Sequence, residues 1–163
     1  VNLGMAYFHG GITESFEFTL GSSILFFFRP SAEYFNIGLF GLVNFTHLKA
    51  FEDNPSSDAN SGSFLDLSLG CVFKLGVFKS IMIILAFSGM IKLTEHDWKY
   101  NEDYLGFHCE IGYLHIFTKF EYAFYIGVYG KGPFYSYPNK NLPYIHRENY
   151  SFGLKLAFYF NPT

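Results

Sequence analysis

The fold is decided by Tyr150–Phe160, which reads YSFGLKLAFYF. Bulky apolar residues occupy every even position of this segment, while Ser151, Gly153 and Lys155 occupy odd positions. Because successive side chains of a β-strand point to opposite faces, an extended strand would present one apolar face and one small or polar face. An α-helix would not separate these residues in that way. The segment therefore predicts a β-strand that lies between an apolar medium and a polar one.

The same alternation recurs along the chain in segments long enough to cross a bilayer. Short connectors alternate with longer polar or proline-rich ones, as in barrels with short turns at one rim and long loops at the other. The longest apolar run, residues 81–87, is well short of the roughly 20 residues that a spanning helix needs. We therefore predict an all-β fold, an eight-stranded antiparallel transmembrane up-and-down β-barrel with residues 1–163 as a single domain. The predicted strands are 2–9, 15–28, 34–48, 63–77, 81–94, 104–117, 120–131 and 147–160.

Composition supports a membrane barrel and excludes one class of partner. The 22 Phe and 13 Tyr residues exceed what one small soluble core buries easily, whereas the aromatic girdles of a membrane barrel use such residues. A net charge of −3 without a basic stripe argues against nucleic acid. The chain begins at Val1 without an apolar leader, which predicts a mature exported protein whose signal peptide has been removed.

Proline and glycine positions agree with this division into strands. All six prolines lie outside the predicted strands, where a missing N–H breaks no ladder. Glycines concentrate on the predicted inner face, where eight strands leave little room for side chains. These are Gly21, Gly38, Gly70, Gly76, Gly106, Gly112, Gly127 and Gly153.

The inner face also receives the charged residues of the strands, four acids and four bases, which predicts a neutral lumen of internal ion pairs. Counting back from the turn at Lys79 places Asp66 opposite Lys92, and a rougher count brings Lys155 near Glu121. The predicted lumen charges are Glu17, Asp66, Lys74, Lys92, Glu110, Glu121, Arg147 and Lys155.

With its strand pattern, polar lumen and aromatic-ended last strand, the chain resembles the small eight-stranded outer-membrane barrels of the OmpA/OmpX/OmpW class. The last strand departs from that class because Asn161, Pro162 and Thr163 follow its final aromatic residue, Phe160. The resemblance implies a location in the bacterial outer membrane, in contact with outer-membrane lipid or lipopolysaccharide. The resemblance also makes an enzymatic activity an alternative, because some barrels of this size are lipid A-modifying enzymes.

The residues by themselves indicate no catalytic, cofactor or metal site. Ser22 and Ser88 have no evident histidine partner, the six histidines do not cluster, and no metal-ligand spacing is present. Inward His108 next to Glu110 has the character of a structural histidine. Cys71 and Cys109 have outward parity on strands separated by another strand, which predicts free apolar side chains.

We therefore expect a non-enzymatic surface protein, anchored by its barrel, whose long loops contact a partner protein, a host molecule or lipopolysaccharide. The loop at 132–146 is the main candidate, because its prolines stiffen it and its aromatic side chains favour interface hot spots. The alternatives are a conduit or carrier for small hydrophobic solutes, a lipid A-modifying enzyme, and a soluble lipocalin-like barrel with inverted faces. The predicted loop contacts are Trp98, Phe134, Tyr135, Tyr137 and Tyr144.

Overall fold

The computed structural model describes residues 2–10, 13–28, 34–50, 61–77, 79–93, 104–117, 119, 122–136 and 149–160. Side chains are described within a smaller set: 18–28, 34–47, 63–77, 79–91, 93, 105–117, 119, 122–134 and 150–160. The strands are β1 (Asn2–Gly10), β2 (Thr13–Phe27), β3 (Phe35–Ala50), β4 (Ser61–Leu75), β5 (Lys79–Lys92), β6 (Tyr104–Phe117), β7 (Tyr122–Ser136) and β8 (Asn149–Phe160).

Each strand pairs antiparallel with the next strand along the chain, so the sheet order follows the chain order. β1 pairs with β2 on one edge and with β8 on the other, for example through Met5 with Leu154. These pairings confirm the predicted all-β, antiparallel, up-and-down barrel fold. The described residues contain no helix of the length and apolarity that crossing a membrane would need.

The period-two alternation sorts the side chains between an interior and an outer wall. On β4, Asp66 and Ser68 point inward and are buried. The alternate residues Leu67 and Leu69 point outward and are exposed. Towards the short turns the inward residues form an apolar core, and buried Lys74 lies beside it with its Nζ 5.5 Å from the centroid of the Phe27 ring. This core includes Phe40, Leu42, Met82, Ile84 and Leu114, and half-buried Leu25, Phe27 and Ile116 pack against it.

Strand β7 is longer than predicted and contains a proline. It continues to Ser136, and Pro133 pairs with Gly106 at a register shift between Leu105 and Gly106. The prediction that all prolines lie outside strands is therefore wrong for Pro133. A β-bulge explains the exception, because the local break in the ladder accommodates a residue that has no N–H to donate.

The turn between β4 and β5 is centred one residue earlier than predicted. Gly76 lies there with φ of 107°, a conformation that L side chains rarely adopt, instead of in the strand interior. A one-residue shift of a hairpin centre moves the pairing of its arms by two residues. The predicted pairing of Asp66 with Lys92 is therefore wrong: Asp66 pairs with Met90, and Lys92 pairs with Phe64.

Candidate functional site

The first polar group of the interior joins strands that are not neighbours. Lys131 on β7 donates to Asp66 Oδ2 on β4 at 2.9 Å, and the Ser88 hydroxyl donates to Asp66 Oδ1 at 3.2 Å. The side chains of Asp66 and Lys131 are 1% and 2% exposed, so both charges are removed from solvent. Since a buried charge needs a partner, this ion pair holds β4 and β7 at a fixed distance across the barrel.

The second group is built around Glu110 on β6. Glu110 Oε2 accepts a hydrogen bond from Lys155 Nζ at 2.9 Å and one from His108 Nε2 at 3.0 Å. Lys155 therefore pairs with Glu110. Its predicted neighbour Glu121 lies outside the described residues. Because β7 separates β6 from β8, this pair also joins strands that are not neighbours.

Aromatic rings fill the space around these charges. The His108 ring is stacked between Phe40 and Tyr129, with 5.8 Å between centroids on each side. Lys155 Nζ lies 5.1 Å from the centroid of Phe40, within the range of a cation–π contact. The adjoining cavity is about 10 Å³, enough for about one water molecule, so a small apolar solute has no room in it.

The predicted lumen residues divide into those the structure describes and those it does not. Asp66, Lys74, Glu110 and Lys155 are buried in the interior. The side chains of Glu17, Lys92, Glu121 and Arg147 lie outside the described residues. Lys131 was not among the predicted lumen charges, because the predicted seventh strand ended at residue 131 and so placed Lys131 at a rim of the barrel.

A different polar pair lies on the outer wall at the long-loop rim. His47 on β3 is directly opposite Ser63 on β4, and His47 Nδ1 is 3.2 Å from Ser63 Oγ. The backbone N–H of Leu93 donates to the Ser63 carbonyl at 2.9 Å, which holds Ser63 from the β5 side as well. We call His47 and Ser63 the wall pair.

Apolar side chains surround the wall pair. Phe18 on β2 is the pairing partner of His47. Leu93, the residue after β5, lies on the other side of Ser63. One step towards the short turns, Phe45 lies opposite Leu65 on the same outward face. The wall pair therefore lies at the long-loop end of an apolar strip, where His47 is exposed and Ser63 is half-buried.

The wall pair has the elements of an activated nucleophile. A serine hydroxyl is a weak nucleophile until a neighbouring base removes its proton, and a histidine ring nitrogen within hydrogen-bond reach does this in many enzymes. With its ring proton on Nε2, His47 accepts the Ser63 O–H at Nδ1. The arrangement suits acyl transfer from an ester to the Ser63 oxygen.

From the sequence, Ser22 and Ser88 were considered but Ser63 was not. Ser88 is buried and donates to Asp66, and Ser22 points outward opposite Val43 rather than opposite a histidine. His47 was interpreted only as an interfacial ring near a strand end. Counting the β3–β4 hairpin outward from its loop would have placed His47 against Ser63, because both have outward parity.

The predicted loop contacts fall mainly outside the described residues. Trp98, Tyr137 and Tyr144 are not described, and only the backbone of Tyr135 is. Phe134 belongs to β7 and not to a loop, and its ring lies 5.5 Å from Phe107 and 6.2 Å from Phe87. The assignment of Phe134 to the loop is therefore corrected: its ring is part of an aromatic group on the outer wall.

The remaining reactive side chains form no metal or redox centre in the described part of the chain. No group of three His, Cys, Asp or Glu residues there is arranged to hold a metal ion. Cys71 and Cys109 are free and exposed, on β4 and β6, as their parity predicted.

No protein-family model and no curated protein matches the chain. Among solved structures it is similar to the outer membrane enzyme PagL, with 13% sequence identity and a TM-score of 0.49. The match covers 95% of this chain and 98% of that one. That protein is described as an enzyme, whereas the sequence was interpreted as a non-enzymatic surface anchor, and the anchor interpretation is not carried further. At this identity and score, however, the match assigns no substrate and no residue role to this chain.

Proposed function

We propose that this chain is an outer-membrane enzyme that cleaves an acyl ester of a membrane lipid at the outer wall of a closed eight-stranded barrel. The observation that carries the proposal is the 3.2 Å contact between His47 Nδ1 and Ser63 Oγ. Ser63 is the nucleophile and His47 is the general base. Lipopolysaccharide, the lipid expected from the sequence, is the substrate class that we favour.

The distribution of charge supports a barrel that spans a membrane. Among the described side chains, the charged residues on the outer wall are Lys79 and Lys119, both next to short turns. A charge at the midplane of the lipid face costs about 2–4 kcal/mol, so this arrangement suits a wall in contact with acyl chains. Most of the strands exceed the roughly 9–11 residues that a tilted spanning strand needs.

The position of the wall pair suits a lipid of the outer leaflet. In outer-membrane barrels the long loops face outwards, and His47 and Ser63 lie three residues or fewer from the ends of β3 and β4 that border a long loop. Esters of membrane lipids lie at this depth, between headgroup and hydrocarbon. An acyl chain whose ester carbonyl meets Ser63 runs down the strip that begins at Phe45 and Leu65.

The reaction follows the chemistry of a serine with a histidine base. Ser63 Oγ attacks the ester carbonyl carbon, and the Ser63 proton passes to His47 Nδ1. The tetrahedral intermediate expels the lipid alkoxide, which takes that proton and leaves as an alcohol. Water then attacks the acyl-serine with His47 again accepting a proton, and the fatty acid and free Ser63 are released.

A serine-reactive probe and a lipid analysis test this proposal. Wild type in native-like membranes should be labelled by a fluorophosphonate, and outer-membrane lipids from cells that produce it should lose an acyl chain by mass spectrometry. S63A should lose both properties. S22A is the matched control, because Ser22 is also an exposed outward serine, and it should keep both. Unlabelled wild type with unchanged lipids, or equal labelling of S63A, would refute the proposal.

A further inference from the structure

The interior contains a small cavity between the two polar groups. Its lining includes Asp66 and Lys131 from the first group and His108 and Lys155 from the second, together with Asn44 of β3. The cavity volume of about 10 Å³ corresponds to about one water molecule. The cavity is therefore large enough for one small molecule that touches both groups.

Two buried atoms of this lining have no hydrogen-bond partner among the described residues. They are Asn44 Oδ1 and His108 Nδ1. Asn44 Oδ1 is an acceptor. The neutral His108 tautomer that donates from Nε2 to Glu110 Oε2, 3.0 Å away, leaves an acceptor lone pair on Nδ1. His108 is 3% exposed, so bulk water does not satisfy this nitrogen.

The chemistry of the lining selects the occupant. A metal cation would meet the ammonium groups of Lys131 and Lys155, which line the same cavity. An anion would meet Asp66 and the Asn44 oxygen. A neutral molecule with two O–H donors suits both open acceptors and can itself accept from an ammonium group.

We propose that a structural water molecule binds in this cavity and donates to Asn44 Oδ1 and His108 Nδ1. By also accepting from the Lys131 ammonium group, which lines the same cavity, the water joins the Asp66–Lys131 pair and the Glu110–His108–Lys155 group into one hydrogen-bonded network. Buried waters of this kind make two to four hydrogen bonds and satisfy polar atoms whose isolation would otherwise be costly. This inference is independent of the activity of the wall pair.

A crystal structure of the full chain in detergent, from crystals soaked in rubidium chloride, tests the site. The expected result is one density peak within hydrogen-bond distance of Asn44 Oδ1 and His108 Nδ1, without anomalous signal. An anomalous peak would identify a monovalent cation and overturn the proposal. An empty cavity, at a resolution where other interior waters are visible, would overturn it as well.

Two variants sharpen this test. N44L keeps the number and branching of side-chain heavy atoms but removes the acceptor, and it should abolish the peak while the Asp66–Lys131 contact stays intact. T46V is the matched control, since Thr46 is buried on the same face of β3 but does not line the cavity, and it should retain the peak. A peak that persists in N44L on the same remaining partners would show that Asn44 does not hold it. If N44L fails to fold, the wild-type density still decides.

Discussion

Polar side chains differ between the interior and the outer wall of this barrel in their number, burial and partners. Inside, charges are numerous, buried and joined in groups, such as Asp66 with Lys131 and Glu110 with Lys155. Outside, apolar side chains dominate, and the wall pair is exposed near one rim. The interior groups hold strands together across the barrel, whereas the wall pair is the site at which we propose catalysis.

The largest expected effect is on the rate of lipid cleavage, and it distinguishes His47 of the wall pair from another histidine of the outer wall. H47A should lower the rate of lipid acyl-ester cleavage by about 10⁴-fold or more, because Ser63 loses the base that takes its proton. The unfolding free energy should change little. H115A is the control, because His115 is an outer-wall histidine at the opposite rim, in edge-to-face contact with Phe117 at 4.4 Å between centroids. An equal loss of rate in H115A would place the chemistry elsewhere.

The next effect tests the interior. D66A should destabilise the barrel by about 3–5 kcal/mol, because it leaves Lys131 buried without its carboxylate. The double variant D66A/K131M should cost much less than the sum of the two single changes. Urea titrations in detergent micelles measure all three, with Ser22→Ala as a neutral reference. Simple additivity would contradict the Asp66–Lys131 contact.

A smaller effect tests the wall as a lipid-facing surface. L69K should cost about 2–4 kcal/mol in lipid vesicles, because Leu69 is 70% exposed near the middle of β4. L93K, at the rim beyond β5, should cost only about 0–1 kcal/mol. The difference between the two variants is the readout. Equal costs at the two depths would mean that this wall does not face a bilayer.

The smallest effect compares two glycines. Gly41 points to the outer wall, where an added Cβ meets no atom within 4 Å, so G41A should stabilise the barrel by about 0.5–1 kcal/mol. At Gly70, inside, the Cβ would lie 2.2 Å from the Leu85 carbonyl oxygen and 2.6 Å from Ala86 Cβ. G70A should therefore destabilise by about 1–3 kcal/mol. The same titrations measure both, and a stabilising G70A would contradict the close approach of β4 and β5.

The sequence predicted the sorting of side chains because alternation is a local property. Leu69 and Asp66 differ by an odd number of residues, so they must lie on opposite faces of one strand. Register was harder, because it depends on the conformation of single turn residues: the positive φ of Gly76 shifted the β4–β5 pairing by two residues.

Contacts across the barrel could not be predicted in this way. Asp66 and Lys131 are on strands separated by two others, so no hairpin count relates them. Pro133 also caused the seventh strand to be predicted too short, because a proline normally ends a strand, whereas Pro133 lies at a bulge. The contact between His47 and Ser63 could have been predicted, since the two residues flank one loop. That prediction required comparing every serine with its partner in the register of its own hairpin.

The Asp66–Lys131 contact has a consequence for the order of assembly. The two residues are 65 positions apart, and no single hairpin brings them together. They meet only when the sheet curls, so both charges stay hydrated while the hairpins form and lose that hydration in the last steps. Contacts that form after the rate-limiting step slow unfolding more than they speed folding. We therefore expect loss of this pair to speed unfolding of the finished barrel more than it slows folding.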